Sequence, residues 1–530
     1  MVPVNTQSTL SAISLSLFVS RLEAVCDEMG AVLRNAALSP NIRDRLDFSC
    51  AVFDAAGDLC AQAAHIPVHL GSMAFAMADL VGRLDWADGD MVIVNDPYLG
   101  GTHLPDVTVI APVFVDGGLI GFVVNRAHHA DIGASSPGSM PISRGLSEEG
   151  LIIEPRHLLR GDRVDEAALA EIVGGTRNPD HARGDFFAQI SANRAGRERL
   201  SELVRAQGTH AFRDGLTALN DYGERLARVA LSEIPNGTYR FTDLMDDDGQ
   251  GHRDIAIRVT LRVQEGIIDC DFTGTAPAVE GNINCPLAVA AAAVFYCFRC
   301  LMPPQTPACA GSLRPIRLNA PEGCLVNARR PAAVAAGNVE TSTRIVDAVL
   351  GALAQTLPAS IPAASQGSMN NLAIGGWLVE ADASRAWDYY ETIGGGMGAG
   401  ATGGGLSGLQ THMTNTLNTP VEVIETRFPL RVTRYALRRG TGGAGRRAGG
   451  DGLVREFECL APAHATLIGE RRLHAPWGLA GGADGSPGAQ WLNDLPLPGK
   501  VAVELVAGDR LRIETPGGGG YGKAGTDDDA

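Results

Sequence analysis

Two neighbouring apolar runs form the clearest pattern of hydrophobic and polar positions in this chain. Residues 107–115 (VTVIAPVFV) and 119–125 (LIGFVVN) are rich in β-branched side chains, and the turn-forming residues 116–118 (DGG) lie between them. Such a pair of runs around a glycine turn predicts a β-hairpin. Because side chains alternate between the two faces of a strand, the register of this hairpin decides which polar residues meet at its open end.

The open end of the predicted hairpin collects histidines and aspartates. A three-residue loop centred on Gly117 makes Asp106 face His128, and it puts His103 opposite Asp131. Residues that are far apart along the chain are thereby brought within coordination reach of one metal ion. The predicted site therefore depends on this register.

The alternative register puts His129 in the site instead of His128, because a two-residue turn shifts the pairing by one position. In both registers Pro105 keeps residues 103–106 (HLPD) out of a helix interior, since proline lacks the amide donor. A bent loop at this point lets the two polar side chains of that segment converge.

The predicted metal ligands are His103, Asp106 and His128. Two neutral imidazoles and one carboxylate leave coordination positions open, as a catalytic site requires, and they suit Zn, Mn or Fe better than Ca or Mg. The plainer alternative is that the histidines are a polar strand end and that Asp106 caps a turn. His129 and Asp131 are predicted to orient a metal ligand or to shuttle a proton. Further candidates for lining the pocket are Asn95, Asp96, Thr102, His65, His69 and His412.

The rest of the chain combines helical spacing with strand alternation. Period-two alternation in residues 237–272 predicts an antiparallel sheet, and short strands separated by glycine turns return from residue 427 onward. A second hairpin is predicted from residues 49–53 and 59–62. The predicted helices are residues 10–35, a segment ending near residue 84, residues 164–231 interrupted by the loop GGTRNPDHARGD, and residues 337–357.

These patterns predict a mixed α+β fold with a large, antiparallel, β-rich core and helical layers. We expect residues 1–522 to form one elaborated unit, followed by an acidic tail without fixed structure at residues 523–530. Within that unit the expected regions are an N-terminal α/β region with the metal-site hairpin (1–163), a helical region (164–236), a central α+β region with a glycine-rich loop (237–426) and a C-terminal β-rich region (427–522).

The glycine-rich loop, residues 394–408 (GGGMGAGATGGGLSG), is the second candidate for ligand binding. Its backbone amides could close on an anion, or its glycines could serve tight turns and close backbone packing. The loop lacks the G-x-x-x-x-G-K-[ST] pattern of a phosphate-binding loop, which occurs nowhere in the chain. We therefore expect that this chain does not bind ATP.

Composition excludes several classes of partner. With 60 acidic and 44 basic residues the formal net charge is -16, and no basic stripe is interleaved with aromatics, which argues against nucleic acid. The longest apolar stretch, residues 286–298, is too short to span a membrane, and the N-terminus lacks the pattern of a signal peptide, so a cytoplasmic protein is expected. Ten irregularly spaced cysteines do not predict a disulfide framework, and Cys297 and Cys300 are predicted to be core residues of an apolar helix.

Many blocks of the sequence resemble the hydantoinase B family, in order from about Phe18 to Gly522. That family contains the B subunits of ATP-dependent N-methylhydantoinases and 5-oxoprolinases, related lactamases, and the alpha subunit of acetone carboxylase. The matching blocks include RLDFSCAVFD, AQAAHIPVHLGSM, NDPYLGGTHLPDVTVIAPVF, RAHHADIG, GNINCP, GNVETS, PAASQGSMNN, YYETIGGGMGA, THMTNTLNTPVEVIE, GGAGRRAGGDGLVREF and APWGLAGG.

The resemblance implies a site and a partner. In carboxylase-type relatives one transition metal is held by a His-x-x-Asp pair and a later histidine, which match His103, Asp106 and His128 here. It also implies that ATP and Mg²⁺ bind to a separate hydantoinase A-type subunit with a sugar-kinase-like fold, in a hetero-oligomer of the (AB)2 kind. The implied activity is hydrolysis of a cyclic amide such as a hydantoin, 5-oxoproline or another lactam. The alternatives are an alpha-type subunit of an ATP-dependent ketone carboxylase and a non-catalytic scaffold subunit.

Overall fold

The computed structural model describes residues 11–63, 66–380 and 383–525. His65 and the end of the acidic tail lie outside the described residues. The helices are α1 (Ala12–Ala36), α2 (Pro40–Arg43), α3 (Pro67–Leu80), α4 (Glu166–Gly174), α5 (Pro179–Gln207), α6 (Thr209–Ser232), α7 (Leu287–Arg299), α8 (Ala310–Leu313), α9 (Ser342–Ala354) and α10 (Val421–Arg427).

An antiparallel sheet of seven strands contains the predicted hairpin. Its strands are β1 (Phe48–Asp54), β2 (Leu59–Gln62), β3 (Met91–Val94), β4 (Asp106–Val115), β5 (Gly118–His128), β6 (Arg156–Arg160) and β7 (Arg163–Val164). They lie in the order β2-β1-β5-β4-β3-β6-β7. Helices α1 and α5 pack on one face, and α3 packs on the other. Because both faces are covered, β4 and β5 are apolar almost throughout.

The hairpin has the predicted pairing at its open end and a different turn at its closed end. Asp106 pairs with His128, as the three-residue loop predicted. The turn itself has only two residues, because strand β5 begins at Gly118 and this residue pairs with Val115. A bulge between Val113 and Phe114 shifts the register by one position and compensates for the shorter turn. The loop length predicted from the sequence was therefore wrong, while the predicted pairing of Asp106 with His128 is confirmed.

Three further sheets follow along the chain. The second contains β8 (Gly237–Asp247), β9 (Arg253–Gln264), β10 (Ile267–Asp271) and β11 (Ile316–Asn319), and α9 packs on it. The third contains β12 (Asn371–Glu380), β13 (Ala383–Glu391), β16 (Ala463–Ile468) and β19 (Lys500–Leu505). The fourth contains β14 (Leu430–Arg438), β15 (Gly452–Cys459), β17 (Ala489–Leu492), β18 (Leu495–Leu497) and β20 (Arg510–Glu514).

The predicted fold class is confirmed: antiparallel sheets dominate, and helices cover them in layers. The third sheet joins strands from both sides of residue 426, where a regional boundary was expected, so the four-region division remains a prediction.

Helix α5 begins at Pro179, inside the segment predicted as a loop, because Asn178 caps its first turn. Cys300 is exposed rather than part of the core. No helix in the described part of the chain is long and apolar enough to cross a membrane.

Candidate metal centre

The candidate metal centre lies where strands β4 and β5 end. Asp106 is the first residue of β4, and His128, its partner in the register, is the last residue of β5. A tight turn before β4 brings His103 to the same point, because the amide of Asp106 donates to the His103 carbonyl over 3.1 Å. Pro105 has no amide donor and allows this turn. The hairpin register and the turn together bring the three side chains into contact.

The three predicted ligands converge through one atom each. His103 Nε2 lies 3.2 Å from His128 Nδ1 and 3.3 Å from Asp106 Oδ1, and His128 Nδ1 lies 3.1 Å from the same oxygen. The edge of a tetrahedron with metal–ligand bonds near 2.1 Å is about 3.4 Å, so these separations fit one small divalent cation. All three side chains are buried.

Hydrogen bonding indicates that His103 presents a lone pair to the centre. His103 Nδ1 lies 3.1 Å from the Ala335 carbonyl, which can only accept, so Nδ1 carries the proton. The lone pair is then on Nε2, which faces the cluster and lies 3.1 Å from Asn338 Nδ2. A backbone carbonyl on the outer nitrogen is typical of metal-binding histidines. His128 Nδ1 also faces the cluster, 3.1 Å from Asp106 Oδ1, while its Nε2 is buried without a hydrogen-bond partner among the described residues. A cation bound at the centre would take the place of the proton between Nδ1 and that oxygen. The residues therefore fit a divalent transition metal such as Zn, Mn or Fe.

Three side chains support the aspartate, and a fourth orients one of them. Thr102 Oγ1 donates a hydrogen bond to Asp106 Oδ2, and His69 Nε2 lies 3.3 Å from the same oxygen. Asn338 Nδ2 lies 3.4 Å from it. His69 is itself oriented by Ser49 Oγ, 2.9 Å from its Nδ1. Oδ1 of Asp106 therefore remains for the cation while Oδ2 is held by the protein.

An aromatic stack orients the second histidine. The rings of His128 and Tyr390 are nearly parallel, at 10°, with centroids 4.7 Å apart. The Tyr390 hydroxyl donates to Asn371 Oδ1 over 2.7 Å, and the guanidinium of Arg45 lies 4.9 Å from the Tyr390 ring centroid. Because the stack restricts rotation of the imidazole, Nδ1 of His128 stays directed at the centre.

Electrostatics agree with an ionised carboxylate between imidazoles. Burial alone would raise the pKa of Asp106, but His103 and His69 outweigh it and hold that pKa well below its usual range. Burial alone would lower the pKa of His103, and the Asp106 carboxylate reverses this and raises it. Burial lowers the pKa of His128. An anionic oxygen beside a neutral His128 is the state that a metal requires.

The other predicted residues divide into those near the centre and those away from it. His69 and Thr102 contact Asp106 directly. Asn95 positions the turn before β4, because its Nδ2 donates to the Leu104 carbonyl over 2.8 Å. Asp96 caps a short helix at Tyr98 and forms an ion pair with Arg330, so it does not reach the cluster.

His129 and Asp131 lie on the opposite side of the hairpin from the cluster. His129 Nε2 lies 3.0 Å from Gln189 Oε1, and its ring stacks on Phe186 at 4.4 Å between centroids. The carboxylate of Asp131 accepts from the amides of Gly133 and Arg177 instead of meeting His103 as predicted. The catalytic role predicted for His129 and Asp131 has no contact with the three ligands to support it.

His412 lies outside the cavity at the metal centre and hydrogen-bonds to Tyr296 Oη, 3.3 Å from its Nδ1.

Sequence reasoning missed four supporting residues: Ser49, Asn338, Asn371 and Tyr390. The block GNVETS contains Asn338, and it forms one π-helical turn (Gly337–Thr341) before α9. Nothing in the local pattern marks such a turn, although turns of this kind frequently occur at functional sites.

The glycine-rich loop forms a closely packed bundle instead of an open anion site. Three glycine-rich segments, residues 394–408, 441–450 and 516–522, run side by side, and we call them the glycine bundle. Their amides donate to carbonyls of neighbouring segments, for example Gly396 to Pro516, Gly450 to Met397 and Gly518 to Gly450. A Cβ on most of these glycines would overlap a neighbouring backbone. Close backbone packing therefore explains the glycines.

The fold and the site define a class of protein with mixed α/β layers and a buried candidate metal centre of two histidines and one aspartate. The sequence matches the family described as Hydantoinase B/oxoprolinase over residues 11–524, and the chain belongs to that family. The family resemblance inferred from the sequence blocks is thereby confirmed.

Relatives of known name differ in length. 5-oxoprolinase 1 of Arabidopsis thaliana is 39% identical, and the match covers 97% of this chain but 42% of that protein. A putative B-type subunit of a D-/L-hydantoinase from Pseudomonas sp. is 31% identical, and the match covers 97% of this chain and 90% of that protein. The chain thus spans about two fifths of the length of the 5-oxoprolinase and most of the hydantoinase component.

Two solved structures share the fold. An ATP-dependent caprolactamase from Pseudomonas jessenii is 27% identical with a TM-score of 0.89, and the match covers 97% of this chain and 92% of that one. The nucleotide-free structure of acetone carboxylase has a TM-score of 0.87 at 19% identity, with 97% and 76% covered. At that lower identity the likeness shows the fold alone.

Proposed function

We propose that this chain is the metal-binding, B-type component of an ATP-dependent hydrolase that opens cyclic amides, such as hydantoins, 5-oxoproline or other lactams. The observation that carries the proposal is the convergence of His103, Asp106 and His128 on one point in a member of the Hydantoinase B/oxoprolinase family. The relatives are named as a 5-oxoprolinase, a putative hydantoinase subunit and a caprolactamase, and each of these names describes action on a cyclic amide.

Hydrolysis is favoured over carboxylation of a ketone. The caprolactamase is matched over 92% of its length at 27% identity, whereas the acetone carboxylase is matched over 76% at 19%. The third candidate, a non-catalytic scaffold, does not explain why two imidazoles and a carboxylate are buried together with one atom each directed at a common point. Burying such polar groups costs free energy.

The side chains of this chain have distinct proposed roles. A divalent cation at the three ligands would polarise a carbonyl or lower the pKa of a water. Asp106 supplies the anionic oxygen, and Thr102 and Asn338 keep its second oxygen in place. His69 lines the cavity at the centre, so we assign to it the proton transfer that the sequence suggested for His129. Ser49 keeps the His69 ring in the required orientation.

ATP is proposed to act on a partner. An amide is a poor electrophile, and phosphorylation of its carbonyl oxygen would create a good leaving group. This chain has no phosphate-binding loop of the Walker type, and it spans only 42% of the length of a 5-oxoprolinase. We therefore assign ATP and Mg²⁺ to a hydantoinase A-type subunit, in an assembly of the (AB)2 kind.

The decisive experiment uses the chain purified alone and in complex with its ATP-binding partner. The complex should open at least one ring among hydantoin, 5-oxoproline and caprolactam in an ATP-dependent reaction, while the chain alone should hydrolyse neither ATP nor amide. Incorporation of ¹⁴C-bicarbonate into a ketone by the same complex would establish the carboxylase alternative. A complex that stays fully active after the chain has lost all bound metal would establish the scaffold alternative.

A further inference from the structure

The cavity at the metal centre is too small for any organic substrate. Its volume is about 20 Å³, and its walls include His69, His103 and Tyr390. A cavity needs roughly 10 to 15 Å³ to hold one water, so this one has room for a single water molecule. The substrate must therefore bind in a neighbouring space and reach the centre by a local movement.

A much larger cavity borders this small one. It has a volume of about 880 Å³ and lies between helices α1, α6 and α7 and the end of strand β2. Ile66 belongs to the walls of both cavities, so the two cavities meet at this residue. Ligand sites are usually cavities of roughly 300 to 1,000 Å³. The larger cavity has the size of a site for a small molecule.

Two side chains in the wall of the larger cavity each have a buried polar atom that lacks a hydrogen-bond partner among the described residues. These atoms are Gln62 Oε1 and Thr306 Oγ1. A carbonyl oxygen such as Gln62 Oε1 can only accept, and a hydroxyl such as Thr306 Oγ1 can donate. A cyclic amide offers one N–H donor and one carbonyl acceptor on a compact apolar ring. The unpaired atoms therefore have the complementary chemistry to an unsubstituted cyclic amide.

The wall between the cavities is linked to the metal centre by hydrogen bonds. The amide of Ile66 donates to Ser49 Oγ over 3.3 Å, and the same hydroxyl lies 2.9 Å from His69 Nδ1. His69 Nε2 in turn lies 3.3 Å from Asp106 Oδ2. A shift of Ile66 thus changes the contacts of the group that faces the reaction centre.

We propose that the larger cavity is the binding site for the cyclic amide, with Gln62 Oε1 accepting from the ring N–H, and that Ile66 separates the bound ring from the metal ligands until it moves. The proposal rests on the hydrolase function for the identity of the ligand. The position of the barrier at Ile66 does not depend on that function.

The first test addresses the ligand. Gln62→Ala should raise the KM for the cyclic amide about 10-fold, the value of one hydrogen bond, with little change in kcat. The matched control is Ser16→Ala, an exposed residue on the same cavity wall, which should leave KM unchanged. A KM in Gln62→Ala equal to that of the parent protein overturns the site, and so do crystals soaked with the cyclic amide that show only ordered water beside Gln62.

The second test addresses the barrier without substrate turnover. The chain is loaded with Co²⁺, and the rate at which azide changes the visible spectrum is measured by stopped flow. Ile66→Ala should speed the change and Ile66→Phe should slow it, each by about 10-fold or more, while equal thermal midpoints show that both variants are folded. Identical rates in the three proteins overturn the barrier. Altered rates in a protein that opens no cyclic amide would retain the barrier and reject the proposed hydrolase.

Discussion

The metal centre and the glycine bundle were both predicted ligand sites, and they differ in how their polar atoms are used. At the candidate metal centre His103 Nε2, Asp106 Oδ1 and His128 Nδ1 face one point, and the nearby Asn338 Oδ1 is buried without a partner among the described residues. In the glycine bundle the amides already donate to neighbouring carbonyls. A binding site requires donor or acceptor atoms that the fold leaves available, and the residue types alone do not reveal this.

The difference between the two regions arises from where their polar atoms lie, on side chains or on the backbone. Imidazoles and carboxylates carry their coordinating atoms on side chains, which a hairpin can direct to one point. Glycine offers only backbone groups, and three glycine-rich segments satisfy those groups on each other as soon as they come close. The comparison can be tested by breaking each region separately.

The largest effect is expected from the metal ligands. Asp106→Ala and His128→Ala should each remove the bound metal and lower turnover of the complex by more than about 100-fold, because two remaining ligands do not hold a divalent ion firmly. Elemental analysis and ATP-dependent ring opening measure both. The matched control is His129→Ala, which alters the opposite side of the hairpin and should retain its metal. Full metal occupancy in both ligand variants would disprove the site, and loss of metal in His129→Ala alone would move the ligand by one residue.

Substitutions in the glycine bundle should lower the stability of the protein and leave its metal content unchanged. A Cβ at residue 518 would overlap the Met397 carbonyl oxygen, whereas a Cβ at residue 403 would meet nothing within 4 Å. Gly518→Ala should therefore lose about 3 kcal/mol of unfolding free energy or more, and Gly403→Ala should stay within about 0.5 kcal/mol of the parent protein. Urea unfolding measures this. Equal midpoints for Gly518→Ala and the parent protein would show that the bundle can open, which would revive it as an anion site.

A smaller effect is expected from Asn338, which supports the metal ligands from the π-helical turn. Its Nδ2 lies 3.1 Å from His103 Nε2 and 3.4 Å from Asp106 Oδ2. Asn338→Ala should weaken metal binding roughly 10 to 100-fold, as is typical for residues that orient ligands. Competition with a metal indicator measures the affinity. Asn193→Ala, a buried asparagine bonded to strand β4 from α5, is the control that should lower stability and leave metal affinity unchanged. The reverse result would mean that Asn338 only supports the fold.

The smallest effect is expected in the pH dependence of stability, and it comes from the buried side chain of Glu340. Burial raises the pKa of Glu340 to about 8, with the charge of Glu470 adding to the rise and Lys500 and Arg472 opposing it. The folded protein therefore keeps this proton at pH values where the unfolded chain, with a pKa near 4.3, has lost it. The stability that the protonated group contributes is fully present below the unfolded pKa and declines as pH rises toward about 8.

Glu340→Gln removes that pH dependence. Between pH 6 and pH 7.5 the parent protein should lose on the order of 2 kcal/mol more unfolding free energy than the variant. Urea unfolding at both pH values measures the difference, and Glu322→Gln, an exposed glutamate paired with Arg329, serves as the control. Parallel pH profiles for Glu340→Gln and the parent protein would show that Glu340 is ionised in the fold.

Local patterns were sufficient for most secondary structure. The hairpin strands, the N-terminal helix and the sheet of residues 237–272 follow from apolar periodicity, because each pattern lies within one element. The predicted end of the loop before α5 was wrong, because Asn178 and Pro179 start a helix in a segment that otherwise has a loop composition. The loop length predicted at Gly117 was wrong because a bulge between Val113 and Phe114 compensates for a shorter turn. The apolar pattern of the strand does not mark this bulge.

The sequence by itself determined the candidate ligand set: His103, Asp106 and His128 are chemically suited to one metal, and hairpin pairing is local enough to be inferred. Only the tertiary structure decided which polar groups support them. Asn338 and Tyr390 reach the site from more than 200 residues away along the chain, and His129 turns away although it is adjacent to His128. The physical reason is that strand alternation is a local property, whereas contacts between distant segments depend on how whole layers pack.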